Sequence, residues 1–500
     1  MRHARFLEFL NNDSNNSLDA ACINDTFYTY AYLKDRVNAA LSIIKSEDIQ
    51  KAYIAVHLSD DIEMYAAILA IWASGNSYVP LHTGYPASRV RHIQETTQCK
   101  LVFSQHDEVK GIDAPSTRIC KLSEVPSSSI SGSIDLERVL DGDICYCLFT
   151  SGSTGLPKGV PITYSNLSAF LSGFESLNIP LPVGAGYLQM FELTFDLSIV
   201  SFLWAWQHGG VVYHVGNHAI KYGEISRILE EYPVEFAIMV PSIVHLLKPY
   251  YDEIDWARLK VLLFCGEAMT TDLVTAWEKC CPSARCFNIY GPTECTIVCT
   301  FYELDRGNVA SMNGIISIGK PFGENLYFIG DENGNEVDAS DKGLLWIGGP
   351  QIMPGYLKND DLSKKVLVEK YGQSFYNTGD LVLESDSQIY YLGRLDQQVK
   401  INGYRIELSE IEFNANKILP QKCAVISIKD QKGFDMLVLF IQQNNETQGQ
   451  DVLKLLRNHL PEYMLPSVAV SIDQFPLNSN GKLDRKELKN IYERDYSKAG

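Results

Sequence analysis

The chain has 500 residues, 46% of them hydrophobic and 21% charged, enough apolar material for more than one folded core. A formal net charge of -18 argues against a nucleic-acid binder, which would carry a basic face. The longest apolar stretch, near Met64 to Trp72, is about half the length of a membrane span, and the basic Met1-Arg2-His3-Ala4-Arg5 is followed by too short an apolar run for a secretory leader, so a cytoplasmic protein is expected.

In chain order, Tyr30 to Ile44 is amphipathic, Lys51 to Leu58 reads as a strand, and Ile62 to Ala73 as an apolar helix closed by Gly75, an alternation that predicts layered α/β structure. Ser127 to Ser133 reads as a loop, and Asp143 to Phe149 as a buried strand. Val211–Val215, Glu235–Pro241, Lys260–Cys265 and Arg285–Ile289 are further strand candidates separated by helical stretches. From about 314 to 392 short strands and close turns, such as Asp331-Glu332-Asn333-Gly334, predict a β-rich subdomain. The fold class expected is α/β: a large N-terminal domain, 1–394, and a small α+β C-terminal domain, 395–500. The twelve cysteines form no Cys-x-x-Cys and have no histidines at zinc spacing, so reduced buried thiols are expected.

The segment Thr150-Ser151-Gly152-Ser153-Thr154-Gly155-Leu156-Pro157-Lys158-Gly159-Val160 leaves the end of the 143–149 strand. Its glycines let backbone N–H groups approach a ligand, its hydroxyls donate, and Lys158 offsets charge, a set suited to polyphosphate. It is not a Walker loop, because Lys158 lies between Pro157 and Gly159 with no Ser or Thr after it. A Ser/Thr/Gly surface linker is the plainer alternative. The order of these residues resembles the signature loop of the adenylate-forming superfamily, which comprises acyl-CoA synthetases, luciferases and the adenylation domains of nonribosomal peptide synthesis.

The resemblance continues in order, from about residue 25 to 488. Tyr78-Val79-Pro80-Leu81-His82-Thr83-Gly84-Tyr85-Pro86 is similar to a family motif, with His82 at a usually acidic position; no role is assigned to it. Asn288-Ile289-Tyr290-Gly291-Pro292-Thr293-Glu294 offers an aromatic face, an amide, a hydroxyl and a carboxylate. By resemblance Tyr290 stacks on adenine, Asn288 contacts its amino group, Thr293 touches the α-phosphate and Glu294 holds Mg²⁺, with Ile289, Gly291 and Pro292 completing the nucleotide site. Tyr376-Asn377-Thr378-Gly379-Asp380 resembles the ribose motif, in which Asp380 accepts from both hydroxyls. In the run Tyr391 to Glu407, Tyr391 and Arg394 belong by resemblance to the nucleotide site and Asp396 to the hinge of a rotating C-terminal domain. The loop around Gly403 would line a thiol tunnel; Asn402 and Ser409 depart there from the commoner Arg and Gly. Lys482, in Asn480-Gly481-Lys482-Leu483-Asp484, would be the mobile catalytic lysine bridging substrate carboxylate and nucleotide. Leu344 stands where the family commonly has Glu, which implies a changed salt bridge.

Phe195-Asp196-Leu197-Ser198 bears on the substrate. In amino-acid-activating members this aspartate pairs with the ammonium group; a helix N-cap is the other reading. The remaining pocket positions carried over are Leu197, Val200, Ile238, Leu263, Cys265, Ile289, Ile297 and Val298, apolar and mid-sized, which imply a small uncharged side chain. Phe264-Cys265-Gly266-Glu267 with Phe195-Asp196-Leu197-Ser198 resembles the D-alanine:D-alanyl carrier protein ligases. The resemblance therefore implies ATP and Mg²⁺ as cofactors, a small amino acid as substrate with D-alanine favoured, and an acidic phosphopantetheinylated carrier protein acting in trans. A stand-alone L-amino-acid adenylation enzyme of peptide synthesis and an acyl- or aryl-CoA ligase are the alternative activities within the superfamily; a catalytically inactive family member serving as a binding partner is the alternative of a different class.

Overall fold

The computed structural model describes residues 5–496 apart from 58, 113–116, 127–132, 137–138, 153–154, 180, 217–220, 339–340, 397, 432, 443–448 and 478–482. Most of the serine-rich loop expected at Ser127–Ser133 therefore lies outside the described residues. Two compact units divide the chain: Met1–Thr83, Gln94–Phe149 and Gly159–Leu395 form one, and Gly84–Ile93, Thr150–Lys158 and Asp396–Gly500 form the other.

The first unit contains two large sheets. One has six strands in the spatial order Arg118–Cys120, Leu101–Phe103, Tyr53–His57, Ser77–Leu81, Ile144–Thr150 and Lys158–Thr163. The helix Ile62–Ala73 connects two of its parallel strands and is buried along its whole length. Asp61 starts it by accepting from the Met64 N–H at 3.0 Å, and Gly75, at φ +73°, follows its end. Beside it lies the helix Tyr30–Ser46, whose Arg36 meets Glu63 in a buried pair at 2.8 Å.

The nine-stranded second sheet runs Lys320–Pro321, Thr300–Glu303, Arg285–Tyr290, Val261–Phe264, Val234–Met239, Gly186–Gln189, Val211–His214, Asp19–Ile23 and Thr26–Thr29. Its central strands are parallel and covered on both faces, which explains their nearly continuous apolar sequence. The two faces serve different cores. Ile238, Leu263, Cys265, Phe287 and Ile289 enter one apolar cluster; Ala237, Met239, Leu262, Phe264 and Cys286 enter another.

A five-stranded antiparallel sheet follows, built from Leu326–Gly330, Gly343–Gly348, Leu367–Lys370, Gln373–Ser385 and Gln388–Arg394. This is the β-rich region anticipated at 314–392. Leu344 is buried there with Phe328, Trp346 and Phe375, so a packed apolar side chain occupies the position where the family commonly has Glu.

In the second unit, residues 396–500 supply a three-stranded sheet of Cys423–Lys429, Asp435–Gln442 and Val468–Ile472 with helices Leu408–Ile418, Gly449–Leu456 and Arg485–Asp495. The hairpin Gln398–Ile401 to Tyr404–Glu407 turns at Asn402-Gly403, both with positive φ (51° and 80°), as a two-residue hairpin requires. No disulfide joins the described cysteines, eleven of which are buried. No described helix is long and apolar enough to cross a membrane.

Candidate active site

The strand Arg285–Tyr290 delivers Asn288, Ile289 and Tyr290 to its carboxyl end, and a turn at Gly291-Pro292 leads into the short helix Thr293–Cys295. Gly291 is required by space, since a Cβ there would lie 2.4 Å from the Val298 Cα. The Asn288 amide nitrogen donates to the Ser317 carbonyl at 2.8 Å, which leaves its side-chain oxygen to accept.

Asp380 and Arg394 face each other on paired strands and join at 2.7 Å, with little exposure of either side chain. The Tyr290 hydroxyl donates to the second Asp380 oxygen. Burial and the Asp380 charge push the Tyr290 phenol well above its usual range, so it stays a donor. Asp380 is oriented from behind as well. Its N–H donates to the Thr378 hydroxyl at 3.1 Å, and that hydroxyl donates to the Leu345 carbonyl at 2.8 Å. A carboxylate holding one donor on each oxygen retains lone pairs for a diol. Tyr391 lies on the same strand as Arg394 and pairs with Val382.

Glu294 is completely buried, and its Oε1 accepts from the Tyr356 hydroxyl at 2.7 Å; that hydroxyl also lies 3.3 Å from the Tyr376 hydroxyl. Among the described residues no three His, Cys, Asp or Glu side chains converge to hold a metal ion. Glu294 is thus a single carboxylate donor, which fits Mg²⁺ carried on substrate phosphates rather than a metal caged by protein. Tyr356 was not anticipated, because Pro354-Gly355-Tyr356 carries no motif; only the fold brings it to Glu294.

Asp196 precedes the buried helix Leu197–Gln207 but makes no side-chain cap bond, so the N-cap reading does not hold. Its carboxyl is buried, its Oδ2 has no hydrogen-bond partner among the described residues, and burial raises its pKa to about 6. Thr293 opposes that rise by hydrogen bonding, and the Glu294 charge adds to it. Leu197, Val200, Ile238, Leu263, Cys265, Ile289, Ile297 and Val298 are all buried in one apolar cluster. Ile238 stands directly beside Leu263 in register, and two-residue alternation puts Cys265 on the face of Leu263.

In the second unit, Thr150, Ser151, Gly152, Gly155 and Lys158 are described, whereas Ser153, Thr154 and Lys482 lie outside the described residues. The Ser151 hydroxyl donates to the Arg405 carbonyl at 3.0 Å, and the Gly152 N–H donates to Glu410 Oε2 at 3.2 Å. The other Glu410 oxygen pairs with Arg89 at 2.8 Å. A Cβ at Gly152 would come within 2.1 Å of the Leu156 carbonyl oxygen, so the loop closes too tightly for any other residue. The Thr150 hydroxyl is buried without a partner among the described residues, which suits an incoming acceptor such as phosphate. Asp396 begins the last of this unit's three segments and accepts from the Gln398 N–H at 3.1 Å.

The chain is similar over nearly its whole length to proteins already characterised. It is 30% identical over 479 residues to a D-alanine--D-alanyl carrier protein ligase of Bacillus velezensis, covering 93% of this chain and 94% of that one. It is 28% identical over 485 residues to Nonribosomal peptide synthetase 2 of Cochliobolus heterostrophus, of which it spans 9%. Among solved structures, the Vibrio cholerae adenylation domain AlmE in complex with glycyl-adenosine-5'-phosphate shares the fold at a TM-score of 0.86, with 24% identity and coverage of 98% and 97% of the two chains. The family described as AMP-binding enzyme matches residues 11–357, and with the motifs around Tyr290 and Asp380 folded as above, the chain belongs to this adenylate-forming family.

Proposed function

We propose that the protein uses ATP to activate a small amino acid, D-alanine foremost, as aminoacyl-AMP, and passes the acyl group to the phosphopantetheine thiol of a separate acidic carrier protein in the cytoplasm. The observation that carries this reading is Asp196, a buried carboxylate with an unpartnered oxygen beside apolar residues, the environment in which a substrate ammonium replaces lost solvation. The carrier protein ligases at 30% identity support the acceptor.

In the first half-reaction a substrate carboxylate oxygen attacks the α-phosphorus, and the bond to the bridging oxygen breaks to release pyrophosphate. Asp380, fixed by Tyr290 and Arg394, takes the ribose hydroxyls; the Tyr290 ring takes the adenine face and the Asn288 oxygen its amino group. Thr293 and Lys482 offset charge developing on the α-phosphate. Glu294, positioned by Tyr356, would hold Mg²⁺, which when bound neutralises phosphate charge. The backbone and hydroxyls of Thr150–Lys158 hold the pyrophosphate portion. In the second half-reaction the thiol sulfur attacks the carbonyl carbon and AMP departs. Residues 395–500 act as a mobile domain turning about Asp396 between the two steps.

Amino-acid-dependent exchange of pyrophosphate into ATP, over D- and L-amino acids and plain carboxylic acids, tests the reading. A maximum at D-alanine with loading of a carrier protein is expected. Exchange only with acids lacking an amino group would overturn it in favour of an acyl-CoA ligase.

A further inference from the structure

The strand Ile144–Thr150, which leads into the phosphate loop, carries a second buried polar group without a partner among the described residues. Tyr146 is completely buried, and its hydroxyl has no hydrogen-bond partner among the described residues. Its orientation follows from sheet register. Tyr146 stands beside Tyr78 on the neighbouring parallel strand, so both side chains project from the same face. The Tyr78 hydroxyl donates to the Leu193 carbonyl at 3.2 Å, three residues before Asp196 on the same connection. Tyr146, one strand across, projects from the same face toward that connection, and burial together with the Asp196 charge raises its phenol pKa.

Two polar atoms, the Tyr146 hydroxyl and Asp196 Oδ2, are thus both buried, each without a partner among the described residues and not bonded to each other. Leaving such a group unsatisfied is costly, and native interiors rarely tolerate it without a reason. The apolar surroundings, with Leu197, Val200 and Leu263 in the same cluster as Tyr146, provide no internal remedy. A group with several N–H donors lying between the two satisfies both at once: one N–H to the carboxylate, another to the phenolic oxygen.

We propose that Tyr146 is a specificity-determining residue that forms, with Asp196, a two-acceptor seat for the substrate's primary ammonium. The inference rests on the amino-acid reading of Asp196 and adds to it the second acceptor. It makes selection for an amine depend on two strands rather than one side chain. A plain carboxylic acid would leave both buried groups unpaired and so be rejected more strongly than loss of one ion pair explains.

Tyr146→Phe removes only the hydroxyl and keeps the ring. The expected result in pyrophosphate exchange is a KM for D-alanine raised about tenfold to a hundredfold, the range for one hydrogen bond to a charged group. The KM for ATP should be unchanged, and discrimination against propionate should weaken. Because an unsatisfied buried hydroxyl is removed, the apparent Tm of the protein without substrate should be unchanged or higher. A D-alanine KM within twofold of the parent overturns the proposal, as does a fall in Tm with both KM values rising together, which marks a packing role. Failure of the parent enzyme to exchange with any amino acid would instead overturn the amino-acid reading itself.

Discussion

The Tyr290 hydroxyl donates to one carboxylate oxygen of Asp380 while Arg394 holds the other at 2.7 Å. Two motifs 90 residues apart are therefore one assembly, in which the residue proposed to stack on the base orients the residue proposed to take the sugar. Asp380→Ala removes the partner of a buried arginine, a change that destabilises by about 3–5 kcal/mol. Tyr290→Phe removes one bond and should raise the KM for ATP by about two- to tenfold with little change in the amino-acid KM. Steady-state exchange kinetics with each substrate varied in turn separates these effects.

If Asp196 pairs with the substrate ammonium as proposed, the affinity for amino acid depends on pH. Its carboxyl, raised to about 6 from an ordinary 3.8, must be ionised to pair with an ammonium. Lowering the pH from 7 to 5 should therefore raise the amino-acid KM roughly tenfold, and Asp196→Asn should abolish that dependence along with most of the affinity. The stability contribution has the opposite sense. A carboxyl whose folded pKa is raised contributes stability that is present below about pH 4 and lost as the pH rises through about 6. Thermal unfolding without substrate, compared between parent and Asp196→Asn across pH 4 to 7, should show the gap in Tm open in favour of the variant as pH increases.

The phosphate loop gives a prediction that leaves the cores untouched. Any Cβ at Gly152 would meet the Leu156 carbonyl oxygen, so Gly152→Ala must displace the loop. A displacement near 1 Å is enough to reduce turnover about a hundredfold. Circular dichroism and Tm should remain near the parent; a fully active Gly152→Ala enzyme would remove this loop from the reaction.

Away from the site, Arg36 and Glu63 form a buried pair whose remaining arginine donors reach the Val125 and Leu122 carbonyls, with the Val125 bond at 3.0 Å. Glu63→Ala should destabilise by about 3–5 kcal/mol, whereas Arg36→Met combined with Glu63→Leu should be far milder, because no charge is left buried alone. Chemical denaturation of the three variants measures this, and neither KM should change.

Much of this architecture was legible in the chain. The apolar run Ile62–Ala73 became a helix with those same ends, because Asp61 and Gly75 supply its start and stop. The strand preceding the phosphate loop and the strands ending at Met239, Phe264 and Tyr290 follow from short β-branched and aromatic runs between turns. Asn402, read as a departure from the family, is explained by its positive φ in a two-residue hairpin.

The sequence by itself determined which chemical groups are available and the local form of the segments that carry them, since capping, periodicity and turn chemistry act over a few residues. Sheet order and register, set by packing over the whole unit, decided which groups meet. Tyr356 reaches Glu294 across 62 residues, Ile238 lies beside Leu263 through parallel pairing, and Tyr146 shares a face with Tyr78. Asp196 illustrates the division: its sequence permits a helix cap or a ligand, and burial without a cap bond removes the cap reading. No short-range pattern encodes such distances, because they depend on where distant strands come to rest against one another.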